Sequence, residues 1–248
     1  MDTTILIVII LSFSLSFIFA LGGVGSALVI VPALAWIGLP FAQARSIGLF
    51  VNGVSMIGAT YSNIKNKRLD FKLGLPIIAA SILFAPFGAW FGHLIPTKYL
   101  LILFITFLFF SGMMMLFFRS SKYSNQYRED RPVTGPLLTG VLAGFISGLL
   151  GVGGGGVISP LMMMQGFNPK KVTTITAFSV PFSSLTAFIT YALMGSVPWN
   201  LLVFAGISAW LGGYLGTIVM HQKMQPGTVK KFLGIIILLL AIRLIFTL

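Results

Sequence analysis

Gly151-Val152-Gly153-Gly154-Gly155-Gly156-Val157-Ile158-Ser159-Pro160 lies inside a long apolar region and cannot be ordinary helix. Each glycine in a helix interior costs roughly 1 kcal/mol against alanine. The flanking segments, about 136–152 and 155–167, contain no Asp, Glu, Lys or Arg. Broken backbone in such surroundings is tolerated in a bilayer only where protein buries it or where it lines a cavity. The stretch therefore predicts a discontinuous membrane helix. Its free amide N–H groups and positive dipole end would face the cavity, an arrangement that favours an anion. The competing reading is a close helix crossing, but that motif needs spaced glycines, not a block of four.

The pattern occurs a second time. Gly23-Val-Gly-Ser-Ala-Leu-Val-Ile-Val-Pro32 aligns without gaps 128 positions earlier, and six of the ten residues are identical. The same offset pairs Ser12, Ser16 and Ala20 with Gly140, Gly144 and Gly148, a small residue at every fourth position that lets helix backbones approach. With a small gap, Gly88 and Gly92 match Gly212 and Gly216. Two related halves result, 1–118 and 136–248, joined by a hydrophilic linker at 119–135 that holds Arg119, Lys122, Arg128, Glu129, Asp130 and Arg131.

Of the 248 residues, 57% are hydrophobic and 8% charged, too few charges to cover a soluble domain. Apolar segments fall at about 4–21, 24–38, 43–62, 72–93, 97–118, 136–152, 155–167, 170–194, 199–221 and 227–247. The expected fold is an all-α integral membrane protein of 8–10 membrane segments, with short or glycine-broken helices in each half. The first run begins after Asp2 without a basic leader, so it reads as a retained helix, not a signal peptide.

A net charge of +12 invites a nucleic-acid reading, but the basic residues lie between apolar segments, where they act as topology signals. With the linker cytoplasmic, the loops at 62–72, 119–135, 166–171 and 221–231 fall inside and carry 13 of the 16 Lys and Arg residues. The expectation is a multi-pass protein of the cell membrane with an extracytoplasmic N-terminus. The halves then point in opposite directions as inverted repeats, a plan common among secondary transporters. Residues 4–37 are too few for two full spans, so those pieces are short, tilted or re-entrant.

The candidate substrate-binding residues are Gly23, Gly25 and Ser26 on the first arm and Gly153, Gly154, Gly155 and Gly156 on the second. Ser46 with Thr174 and Ser55 with Ser183 are offset pairs on the following helix of each half, and Asn52 and Ser179 lie nearby. Their hydroxyl and amide groups can hydrogen-bond an oxyanion without burying a permanent charge. Taken singly, such residues more often bond helix to helix or back to their own backbone. Arg45 is a candidate anion guide, against the alternative of snorkelling at the interface.

Met113–Met115 and Met162–Met164 raise a soft-metal path, but consecutive methionines on a helix point in different directions and usually serve packing. Asp2, Asp70, Glu129 and Asp130 all fall at segment ends or in loops, leaving no intramembrane carboxylate relay. His93 and His221 are isolated, and cysteine is absent, so neither a metal site nor catalytic chemistry is expected. The glycine run lacks the Lys-Ser/Thr ending of a nucleotide loop. No cofactor and no nucleic acid are expected; the partners are a small anionic substrate and the lipid bilayer, and a homo-oligomer is compatible with all of this.

At its glycine-rich segments the chain resembles the TauE/SafE sulfite-exporter family. Gly151 to Pro160 with Leu161 is similar to the family's second-half signature and Gly23 to Pro32 to its first. The first copy departs from the pattern with Ser26-Ala27-Leu28 in place of glycines. The resemblance implies a secondary transporter, typically an exporter, for sulfite, thiosulfate or a small organosulfonate, working by alternating access. A carrier or channel for another small anion is the alternative, with a methionine-lined metal transporter more remote.

Overall fold

The computed structural model describes residues 3–20, 25–117, 127–195, 197, 199–223 and 226–246. These form α1 (Thr3–Ala20), α2 (Ala27–Trp36), α3 (Phe41–Lys65), α4 (Phe71–Leu94), α5 (Thr97–Phe117), α6 (Thr134–Leu150), α7 (Gly155–Met164), α8 (Pro169–Leu193), α9 (Trp199–Lys223) and α10 (Pro226–Ile245). No strand occurs among them. Helices α4, α5 and α8, and Leu201–Val219 within α9, are long and apolar enough to cross a bilayer. The outer surface carries exposed apolar side chains such as Leu83, Phe87, Val203 and Ile207. This is an all-α membrane protein.

Helices α2 and α7 have ten residues each, a rise of about 15 Å against a hydrocarbon core of about 30 Å. Neither can cross. Left-handed glycines delimit α7: Gly151 (φ 75°) and Gly153 (φ 61°) end α6 and form the break before it, and Gly166 (φ 91°) turns the chain after it. Pro32 and Pro160 occupy the same place in the two short helices.

Helix limits repeat at a constant offset. Both ends of α2 and α7, and both ends of α3 and α8, lie 128 positions apart. This corrects one pairing read from sequence, because no gap is needed and Gly88 falls on Gly216. Packing agrees: Gly88 lies against the Phe145 carbonyl and Gly216 against the carbonyl of Phe17, its equivalent at that offset. The principal contacts are exchanged in the same way, α4 on α6 as α9 on α1, and α4 on α8 as α9 on α3, while α3 meets α8 and α5 meets α10.

The small residues of α6 set the closest of these contacts. Any side chain at Gly140 or Gly144 would press on the backbone of Ile77 or Ser81, and one at Gly148 on the backbone of Ala85 and Ala89. The register, 140 on 77 and 144 on 81, shows α6 running parallel to α4. After the break α7 comes back: Gln165 Nε2 donates to the Gly135 carbonyl (3.3 Å) and Thr139 Oγ1 (2.9 Å) at the start of α6. Thus α6 and α7 form a hairpin that enters and leaves at one end of the molecule. The α1–α2 hairpin instead returns to the opposite end, where α3 begins.

The first of these ends carries Lys65, Lys67, Arg68 and Lys170, and there Arg131 and Lys171 pair with Asp70. Asp70 caps α4 through the Leu73 amide (3.4 Å), accepts from Arg131 Nε (3.1 Å) and pairs with Lys171 Nζ (3.0 Å). One carboxylate so ties α4, the linker and α8. Burial raises the affinity of this carboxyl for its proton, but the bonds from Lys171 and Arg131 outweigh that and hold it below the usual carboxylate range. A depressed folded value contributes stability above the unfolded value, near 3.9, that is lost as pH falls through the lower folded one. Thermal unfolding in detergent should show this loss only on the acid side of an ordinary carboxylate. Asp70→Asn should remove that acid-side loss and cost about 1 kcal/mol at neutral pH.

Candidate functional site

The two breaks converge on Asn52, fully buried near the middle of α3. Its Oδ1 accepts from the Ala27 amide at the start of α2 (3.3 Å) and its Nδ2 donates to Ser184 Oγ of α8 (2.9 Å). Gly25 (φ 91°) backs directly onto Asn52 Oδ1, and Gly153 onto Asn52 Nδ2 with Ser184 Oγ 2.8 Å from where a Cβ would stand. A side chain at either glycine would displace the amide. Both arms thus present helix N-termini at mid-depth, the positive ends of their dipoles.

The arms are unequal. Asn52 serves the first turn of α2 as a cap supplied from another helix, whereas its counterpart at the constant offset is Val180. On α7, Gly154 is the N-cap without a side-chain bond, and Gly155 N–H turns back to the Gly153 carbonyl (2.5 Å). Gly154 approaches Ala143 on α6. Gly156 faces Leu28, Phe107 and Ser111. Leu28 and Gly156 are themselves equivalents, so the first arm's departure from a glycine run is complementary: the leucine occupies space that the glycine leaves.

The other candidates are spread out. Ser26 Oγ meets Ser16 Oγ of α1 (3.3 Å). Gly23 lies outside the described residues. Ser46 donates to the Gln43 carbonyl (2.9 Å) and Thr174 to the Lys171 carbonyl (2.9 Å), equivalent bonds within their own helices at opposite ends of the molecule. Ser183 bonds back to Val180 O (3.1 Å), while Ser55 Oγ is buried without a partner among the described residues where Gly213 of α9 crosses. Ser179 Oγ, also buried and without a partner among the described residues, faces Gly74 of α4. Among the described residues, Thr174 and Ser179 do not bond to Asn52 or to the glycines. Met113 and Met164 face outward while Met115, Met162 and Met163 are buried, so the methionine triplets line no single path.

Arg45 is 5% exposed and turned inward. Its Nη1 donates to the Leu149 carbonyl (3.0 Å) and to Tyr191 Oη (2.8 Å), and the Tyr191 hydroxyl donates to the Gly148 carbonyl (2.8 Å). The guanidinium lies 5.2 Å and 4.9 Å from the Phe41 and Tyr191 ring centres. A cation here complements the negative end of the α6 dipole, while its buried Nε finds no protein acceptor among the described residues.

Ser184, Ser111 and Tyr191 are the site residues that sequence reasoning missed. Ser184 and Ser111 have Met56 and Leu239 as their equivalents, so a search for paired hydroxyls passes over them. The one available signal is Ser111-Gly112, a small polar pair inside the apolar run of α5.

Helical hairpins broken part-way and closed by helix N-termini are a plan that recurs among membrane transport proteins. The chain belongs to the sulfite exporter TauE/SafE family, whose model matches residues 8–244. It is 26% identical to probable membrane transporter protein YunE of Bacillus subtilis, over 90% of this chain and 91% of that one. It is 27% identical to probable membrane transporter protein MJ0441 of Methanocaldococcus jannaschii, over 93% and 91% of the two chains. Sulfite exporter TauE/SafE family protein 2 of Arabidopsis thaliana is 42% identical over a shorter stretch, 33% of this chain and 18% of that protein. No solved structure is significantly similar. These relatives are transporters, not enzymes.

Proposed function

We propose that the protein is a secondary carrier that exports a small sulfur oxyanion or sulfonate by alternating access between two inverted repeats, 1–118 and 136–248. The observation that supports this most is the meeting of two glycine-broken hairpins, entering from opposite ends, at Asn52. Rocking one repeat against the other opens that point to each side in turn. The basic end, with the linker at 119–135, faces the cytoplasm of a cell membrane, and the N-terminus lies outside. An inside-negative potential then assists anion export by roughly 2.3 kcal/mol per charge per 100 mV, so efflux needs no nucleotide.

Counterflow in proteoliposomes tests this. Vesicles preloaded with unlabelled sulfite, thiosulfate, sulfoacetate or taurine should accumulate the labelled compound transiently and saturably. Absence of saturable flux for all four would remove the proposal, and flux of an unrelated small anion alone would move the assignment to that anion.

A further inference from the structure

One face of α3 changes character steadily along its length. Phe50, Val54, Ile57, Tyr61 and Lys65 recur at helical spacing and share that face, apolar first, then aromatic, then cationic. Helix α9 runs alongside in parallel: a Cβ at Gly206 would stand 2.8 Å from the Phe50 ring, and the backbone of Trp210 and Tyr214 lies against Gly58. Between the two helices is an open groove of about 470 Å³, lined by Phe50, Val54, Val203, Ile207 and Trp210. Next along it, Trp210 stacks on Tyr214 with ring centres 5.6 Å apart, and Tyr61 lies 5.9 Å from Tyr214. Beyond these rings α3 ends at Lys65, followed by Lys67 and Arg68, all three exposed. Among the described residues none of the three pairs with a carboxylate, since Asp70 is taken by Arg131 and Lys171.

The order is that of a phospholipid read from tail to head. The groove suits an acyl chain, Tyr and Trp favour the level where hydrocarbon meets headgroup, and lysine and arginine complement a phosphate. From Val54 to Lys65 the helix rises about 16 Å, close to the half-thickness of a hydrocarbon core, about 15 Å. The face related by internal symmetry has no such gradient. There Phe178 and Phe182 replace Phe50 and Val54 and pack edge to face, and Ile189 and Leu193 stand in place of Tyr61 and Lys65. We infer that an anionic phospholipid of the leaflet at the basic end binds here, its chain in the α3–α9 groove and its headgroup at Lys65, Lys67 and Arg68. Bound there, it bridges the first half of the chain to the second. A zwitterionic headgroup complements the site less well, because it brings an ammonium toward three cations. A second copy of the chain is also a poorer occupant, because with 16 basic and 4 acidic residues it adds positive charge to positive charge.

Native mass spectrometry and thermal unfolding of the delipidated chain in detergent test this. The probes are dioleoyl phosphatidylglycerol, dioleoyl phosphatidylcholine and, as a headgroup alone, glycerol 3-phosphate. Phosphatidylglycerol should bind and protect at concentrations about tenfold or more below phosphatidylcholine, and glycerol 3-phosphate should do neither in that range. The combined variant Lys65→Gln, Lys67→Gln, Arg68→Gln should erase the preference between the two lipids. Val203→Trp fills the groove from its exposed rim and should weaken both lipids about tenfold. Leu83→Trp, equally exposed but on α4, should leave both unchanged. Where a variant does not fold, the wild type's preference between the two lipids decides. Equal affinity for the two lipids, a preference kept by the glutamine variant, or unweakened binding in Val203→Trp overturns the inference. So does a dimer that Val203→Trp turns into a monomer, which would give the groove to a second copy. None of these outcomes bears on the carrier reading, which stands or falls by counterflow.

Discussion

Gly153→Ala should abolish transport and lower stability by about 3 kcal/mol or more, of which the left-handed backbone accounts for about 1–2 kcal/mol and broken buried hydrogen bonds for the rest. At φ 61° the new methyl would overlap Asn52 Nδ2 and lie 2.8 Å from Ser184 Oγ. Asn52 cannot retreat without releasing both Ser184 and the Ala27 amide, so the change at one arm also uncaps the other. Gly195→Ala provides the comparison: its φ is 78°, but nothing lies within 4 Å of the added methyl, so it should cost only the backbone part. Midpoints of thermal unfolding for the two variants, with counterflow rates, check this. A Gly153→Ala protein as stable as Gly195→Ala would mean that the meeting of the arms at Asn52 is not tightly built.

Arg45→Met should be comparably damaging. It removes two charge-assisted hydrogen bonds, each worth about 1.5–3 kcal/mol, and two ring contacts worth about 0.5–2 kcal/mol each, and leaves the last carbonyls of α6 to Tyr191 alone. A net loss of about 3 kcal/mol is expected, with Arg45→Lys intermediate, because an ammonium keeps the charge but not the planar fork. Tyr191→Phe should cost about 1–2 kcal/mol, one hydrogen bond at each of its two partners. The discriminating readout is the unfolding midpoint without any anion present. If Arg45→Met leaves that midpoint unchanged but weakens anion binding, the guanidinium guides substrate and does not cap α6.

The broken helices were legible because glycine acts locally: a block of four within apolar sequence has few other meanings. The offset of 128 between the glycine-rich stretches recurs in the helix limits of α2 and α7 and of α3 and α8. The register of α9 was misread, since Gly88 and Gly92 could be matched to Gly212 and Gly216 at the expense of a gap, and only the carbonyls of Phe17 and Phe145 settle the choice. Side-chain pairing was less legible. Ser46 and Thr174 were selected as equivalents, yet a hydroxyl in a helix has its own carbonyl three residues back within reach, and both use it. Ser184 and Ser111 went unnoticed because they lack equivalents, and the charge of Arg45 gave no hint that the end of α6 lies beside it.

Leu28 against Gly156 has a consequence for descent. If the chain arose when one ancestral gene was duplicated and fused, its progenitor assembled as a homodimer with the same residue on both sides of this junction. Two leucines would collide there and two glycines would leave a hollow, so neither present-day half could rebuild that dimer from copies of itself. Fusion made the two sides separately mutable, and this pair records a step that ties each half to the other.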